Sequence, residues 1–197
     1  MITCVNDGEY ELEIKRSRFI AVSRHIGTRN DVKAVVDELR RQHPDARHVC
    51  YGFIADEKGD DFGYDDDGEP SGTAGKPIYS ALAASGARKT AIAVVRYFGG
   101  VKLGAGGLTR AYRESAAQLI ENAGIRTVER YAVYGVTCGG DVYKKAMSVL
   151  RASDCSVENI VFNADARFTV TAPVSFDLEH ALSAIGVKPQ KISEKYM

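Results

Sequence analysis

Four carboxylates, Asp65, Asp66, Asp67 and Glu69, crowd into one short stretch, with Ser71 just behind them. After Pro70 no acid appears until Glu114, while Lys76, Arg88, Lys89, Arg96, Lys102, Arg110 and Arg113 accumulate. Carboxylates this close repel one another unless cations compensate. The stretch therefore calls for a hard cation held through oxygen ligands, or for pairing with Lys76, Arg96 or Arg110 across the fold. DDDGEP lacks the alternating ligands and distal glutamate of an EF-hand loop, so exposure or pairing is favoured and no metal site is expected. Ser71 sits in Gly68-Glu69-Pro70-Ser71-Gly72, which is not a GxSxG elbow, and no spacing sets His25, His43, His48 or His180 beside it as a base. Its expected role is to cap a helix or steady a turn. No catalytic residue is assigned.

The second chemical feature is a glycine loop. The hydrophobic run Thr90 to Val95 (TAIAVV) leads to Gly99, Gly100, Gly104, Gly106 and Gly107, and an amphipathic pattern follows at once. That is the order strand, glycine loop, helix. Glycines let backbone approach a partner closely, and a helix start leaves N–H groups unpaired, so the loop favours a bound anion. Lys76, Arg96, Lys102, Arg110 and Arg113 would hold phosphates around it, and Tyr97 offers a ring for base stacking, the combination single-stranded RNA binders use. Phe98 is either a second stacking ring or a core residue at the strand end. The loop is neither a Walker A sequence nor the GxGxxG dinucleotide fingerprint.

The segments DDGEPSGTAGKP (residues 66–77) and VVRYFGGVKLGAGGLTRAY (residues 94–112) resemble, nearly throughout, the two motifs of the IMPACT family of bacterial and eukaryotic proteins. The order of the flanking segments extends that resemblance over essentially the whole chain. It implies a first domain of the ribosomal-protein-S5 domain 2 type and a small ferredoxin-like second domain. It also implies a link to translation, since eukaryotic members regulate the translational stress response through a protein partner and an additional N-terminal domain.

These residues need elements to position them. Strands are expected at Tyr10 to Ile14 and Phe19 to Val22, joined through the basic cluster Lys15-Arg16-Ser17-Arg18, then a helix from Thr28 to Gln42 capped by Thr28 or Asn30. A buried strand (Ala46 to Ala55), a mobile loop (Asp56 to Asp67), a helix (Thr73 to Ser85), the strand Thr90 to Val95 and a helix from Leu108 to Ala123 follow, with Gly124 as the stop. Beyond it the pattern is strand (Glu129 to Cys138), helix (Asp141 to Arg151), strands (Cys155 to Phe162 and Ala166 to Ala172), helix (Phe176 to Ile185) and strand (Gln190 to Lys195). That order is the split βαβ of a ferredoxin-like unit. The fold class expected is α+β, with domains at residues 1–127 and 128–197.

Composition bounds the function. Lys plus Arg equals Asp plus Glu at 26 each, so attraction to a polyanion has to be local. No apolar run is long enough to cross a bilayer, the start MITCVNDGEYELEIK lacks secretory features, and Cys4, Cys50, Cys138 and Cys155 form no CxxC pair. These features predict a cytoplasmic protein with no membrane partner and no cofactor. The first functional reading is a non-enzymatic, translation-related or stress-response binding protein that contacts RNA, the ribosome or a protein partner through its basic glycine-rich surface. The alternative is an enzyme for a phosphorylated small molecule or nucleotide, with Asp66 or Asp67 holding Mg²⁺. A third reading makes both motifs architectural, their acids and cations neutralising one another.

Overall fold

Residues 2–196 are described by the computed structural model, and they divide into two units, Ile2–Thr127 and a second from Val128 onward. The chain first runs β1 (Ile2–Val5), β2 (Gly8–Ile14), β3 (Ser17–His25), α1 (Asp31–Gln42), β4 (His48–Ile54), β5 (Phe62–Asp65), α2 (Gly75–Ala84), β6 (Thr90–Tyr97), α3 (Ala105–Ala123) and β7 (Ile125–Val128). Five strands pair antiparallel in the order β2-β3-β6-β4-β5, while β1 and β7 form a separate two-stranded sheet. Helices α2 and α3 cover one face: Ile78, Leu82, Leu108, Tyr112 and Leu119 pack on Phe19, Cys50, Ile92 and Val94. On the other face Leu39 of α1 packs with Ile20, Val22, Val49 and Val95. Cover on both faces is why β6 reads as an unbroken hydrophobic run.

Local chemistry departs from expectation in several places. Lys15 and Arg16 both take positive φ, as a two-residue hairpin turn matched to strand twist requires, and Arg18 pairs with Glu11 across the hairpin. Asn30 stands at the N-cap of α1 without a side-chain bond; Asp31 instead reaches back to accept the N–H groups of Gly27 and Thr28. The acidic segment expected as a mobile loop contains β5, which pairs with β4 from Ile54↔Phe62 to Tyr51↔Asp65. Helix α3 starts at Ala105, so Gly106 and Gly107 belong to its first turn and not to the loop before it.

The second unit contains β8 (Arg130–Cys138), α4 (Gly140–Arg151), β9 (Ser156–Phe162), β10 (Ala166–Pro173), α5 (Leu178–Ser183) and β11 (Gln190–Tyr196). Its four strands are antiparallel in the order β11-β8-β10-β9. Val136, Phe168 and Val170 from the sheet meet Ala146 and Leu150 of α4 and Leu178 and Leu182 of α5 in its core. The short helix α5 is capped by Asp177, whose Oδ1 accepts the His180 N–H.

Candidate anion-binding cleft

The two motif segments meet through one buried network. Glu69 accepts a 2.6 Å bond from Arg96 Nη1 and a 2.7 Å bond from the Tyr112 hydroxyl, both on Oε1. The side chains of Arg96 and Glu69 are only 7% and 4% exposed. Phe19 meets Tyr112 edge-on, and the Arg96 guanidinium lies 5.5 Å from the Phe19 ring centre and 5.6 Å from that of Phe98. The Cys50 thiol donates to the Asp66 carbonyl at 3.0 Å and lies 3.4 Å from the Tyr112 hydroxyl. Burial pushes both the Cys50 thiol and the Tyr112 phenol well above their ordinary ranges, so both stay protonated and neither is an activated nucleophile.

The other motif acids are also committed. Asp66 accepts the backbone N–H groups of Gly72, Ala74 and Gly75 at 2.7–2.9 Å and so caps the start of α2 from outside the helix. Asp67 takes Arg40 at 2.5 Å and the Val49 N–H at 2.6 Å, while its carbonyl meets His48 Nδ1. Gly75 must be glycine, because a Cβ would stand 2.5 Å from the Asp65 carbonyl oxygen. Asp66 and Asp67 thus spend carboxylate oxygens on the start of α2, on Arg40 and on the β4 backbone, contacts with which a bound Mg²⁺ would compete. No cluster of three metal-ligating side chains occurs among the described residues. Ser71 is exposed and its hydroxyl makes no hydrogen bond among the described residues; Asp66 does the capping expected of it.

The glycine loop divides by role. Gly99 lies so close to the β2–β3 turn that a Cβ would overlap the Arg16 carbonyl, and its N–H donates to Ser17 Oγ. Gly104, the N-cap of α3, has φ of +71°, a conformation that suits glycine. Gly100 also has positive φ, and Gly107 sits tight against Leu103. Gly106 is different: its φ is ordinary and an added Cβ would meet open space. Gly106→Ala is therefore expected to stabilise the protein by about 0.5–1 kcal/mol through helix propensity. A rise in the urea midpoint checks it.

Beside this network opens a cleft of about 330 Å³ lined by Arg47, His48, Glu69, Pro70, Arg96, Phe98, Lys102, Leu103, Gly104, Ala105 and Leu108. It thus joins Arg96 to the N-terminus of α3. Arg96, which the sequence offers both as a phosphate contact and as a partner for the motif acids, lies buried at the cleft's floor on Glu69. Alternation along β6 explains it: Val94 and Arg96 face α2 and α3, Val95 and Tyr97 face α1. Tyr97 is consequently half-buried, held by His43 Nδ1 at 2.9 Å, and Phe98 is the ring that is 50% exposed. Lys102 is exposed at the cleft, whereas Lys76, Arg110 and Arg113 are exposed outside its lining, and none of the four forms an ion pair among the described residues. Arg47, at the foot of β4, was not singled out from the sequence; only the register His48↔Arg96 shows that it comes beside the motif.

Fold and cleft together define an α+β protein whose two motifs meet at a helix start beside a buried arginine. The Impact N-terminal domain family model matches residues 15–120. The chain is 35% identical over 165 residues to the IMPACT family member YigZ of Escherichia coli (strain K12), covering 83% of this chain and 81% of that one. It is 40% identical over 123 residues to the IMPACT family member YvyE of Bacillus subtilis (strain 168), covering 62% and 56%. A solved structure titled as that of a hypothetical protein matches 98% of both chains, with a TM-score of 0.65 and 30% sequence identity. The chain belongs to the IMPACT family. No helix among the described residues is long and apolar enough to cross a membrane.

Proposed function

We propose that this protein is a non-enzymatic binding protein of the cytoplasm that acts in translation or its stress response by contacting RNA, free or within the ribosome. One observation carries the reading. At the cleft, exposed Arg47 and Lys102 join the open N-terminus of α3 in the lining, and the carboxylate among the lining residues, Glu69, is already spent on Arg96. Arg110 and Arg113 extend positive charge along α3 from Gly106, at the spacing of one helix face. Family membership supports a regulatory role. The engaged state of Asp66 and Asp67 weighs against the Mg²⁺-dependent alternative. The strand orders support a domain of the S5 domain 2 type followed by a ferredoxin-like one.

The test is single-stranded RNA binding by fluorescence anisotropy across a salt series. Affinity should fall linearly on a logarithmic plot, and Lys102→Ala should weaken binding and reduce the slope by about 1. Binding that ignores salt or the Lys102 substitution counts against the reading. It would point instead to a protein partner.

A further inference from the structure

We propose that the cleft is a seat for a nucleoside 5′-monophosphate group, as the 5′ end of an RNA or as a free mononucleotide; the RNA form rests on the reading above.

The first ground is a buried donor without an acceptor. Arg96 uses Nη1 on Glu69, yet its Nε is buried and has no hydrogen-bond partner among the described residues. Buried N–H groups in folded proteins are almost always satisfied, and an arginine in this state wants an oxyanion. The second ground lies in the same cleft. Leu108 is the first residue of α3 whose N–H reaches Gly104 O, and Gly104 provides no side-chain cap. The N–H groups of Ala105, Gly106 and Gly107 thus have no acceptor among the described residues. Arg96 and the start of α3 line the same cleft, and the helix dipole favours a phosphate there.

Charge and shape narrow the ligand. Arg47, Arg96 and Lys102 against Glu69 leave the lining with a net charge of +2, taking His48 as neutral. A terminal phosphate carries about −1.5 to −2 at neutral pH, whereas each internal phosphate of a nucleic acid carries a single charge. The remaining wall is apolar, built by Pro70, Phe98, Leu103 and Leu108, and half-exposed Phe98 presents a ring of the kind on which a base stacks. A volume of about 330 Å³ lies at the small end for ligand sites and suits one nucleotide unit. Inorganic phosphate would use the donors and leave that wall bare.

The experiment compares one short single-stranded RNA, labelled at its 3′ end, carrying either a 5′-phosphate or a 5′-hydroxyl, against the full chain. The phosphorylated form should bind about tenfold tighter or better, the scale of one charge-assisted hydrogen bond. Ala105→Glu puts a carboxylate in the first turn of α3, where it favours the helix but opposes the ligand. It should bring the phosphorylated RNA down to the hydroxyl form's affinity with no fall in melting temperature. Adenosine 5′-monophosphate should displace the phosphorylated RNA and adenosine should not; if the mononucleotide alone binds as tightly as that RNA, free nucleotides are the source. Equal affinity for the two RNAs, with no binding of adenosine 5′-monophosphate, overturns the seat while leaving RNA binding intact. Failure of both RNAs to bind overturns the RNA reading, and the seat then stands only if the mononucleotide binds. A phosphate preference that survives Ala105→Glu overturns the assignment to this cleft.

Discussion

Glu69→Ala should lower the stability of the first unit by about 3–5 kcal/mol, a large share of what a domain of this size possesses. The substitution does more than delete an ion pair. It strands the Arg96 guanidinium, 7% exposed, between the Phe19 and Phe98 rings, and it removes the acceptor of the buried Tyr112 hydroxyl. A buried charge without its counter-ion costs far more than the intact pair contributes, because desolvation of arginine is no longer offset. Glu69→Gln, which keeps an acceptor for Tyr112 but not the charge, should fall between wild type and alanine. The double variant Glu69→Leu/Arg96→Met should recover most of the loss, since an apolar pair asks for no compensation. Urea unfolding followed by tyrosine fluorescence reads these differences. Thiol trapping at Cys50, buried beside Tyr112, reports the same opening locally. Equal instability of the single alanine and double variants would show that packing, and not the stranded charge, sets the cost.

That prediction depends on a contact only partly legible in the sequence. The sign reversal after Pro70 made pairing of the motif acids with Lys76, Arg96 or Arg110 a reasonable expectation, and Arg96 is the partner that Glu69 takes. What the chain order could not show was the side of the sheet. A strand covered on both faces carries no polar alternation, so TAIAVVRYF gives no parity; of the two readings open for Phe98 the exposed ring is the one found, and burial falls to Arg96 and, in part, to Tyr97. Arg47 was invisible for a related reason: it enters the cleft through strand register, a long-range property. The glycines were legible as a loop before a helix, but their separate duties depend on neighbours distant in sequence, such as Arg16 against Gly99. Strand β5 escaped because four residues of FGYD, two of them acid or glycine, present no periodicity to read.

Asp66→Asn should cost roughly 2–3 kcal/mol at neutral pH, and that cost should shrink in acid. Asp66 holds three backbone donors at the mouth of α2: Oδ1 takes Ala74 and Gly75, and Oδ2 takes Gly72. Asparagine preserves one acceptor oxygen but turns an amide toward the other site, so a donor faces a donor. Burial alone would push the Asp66 carboxyl up; the N–H groups of Gly72, Gly75 and Ala74 outweigh it and hold the group below the usual carboxylate range. A carboxyl whose folded pKa lies below its unfolded value stabilises the fold fully above the unfolded pKa, near ~3.9. That stabilisation drains away as pH falls through the folded value. The gap in unfolding free energy between wild type and Asp66→Asn should therefore be constant from about pH 5 to 8 and narrow progressively below about pH 4. A gap that persists unchanged to about pH 2 would mean that the asparagine acts through distorted packing. The same measurement separates the two motif acids: Asp66 fixes where α2 begins, whereas Glu69 offsets the charge of a buried arginine and holds it in place at the floor of the cleft.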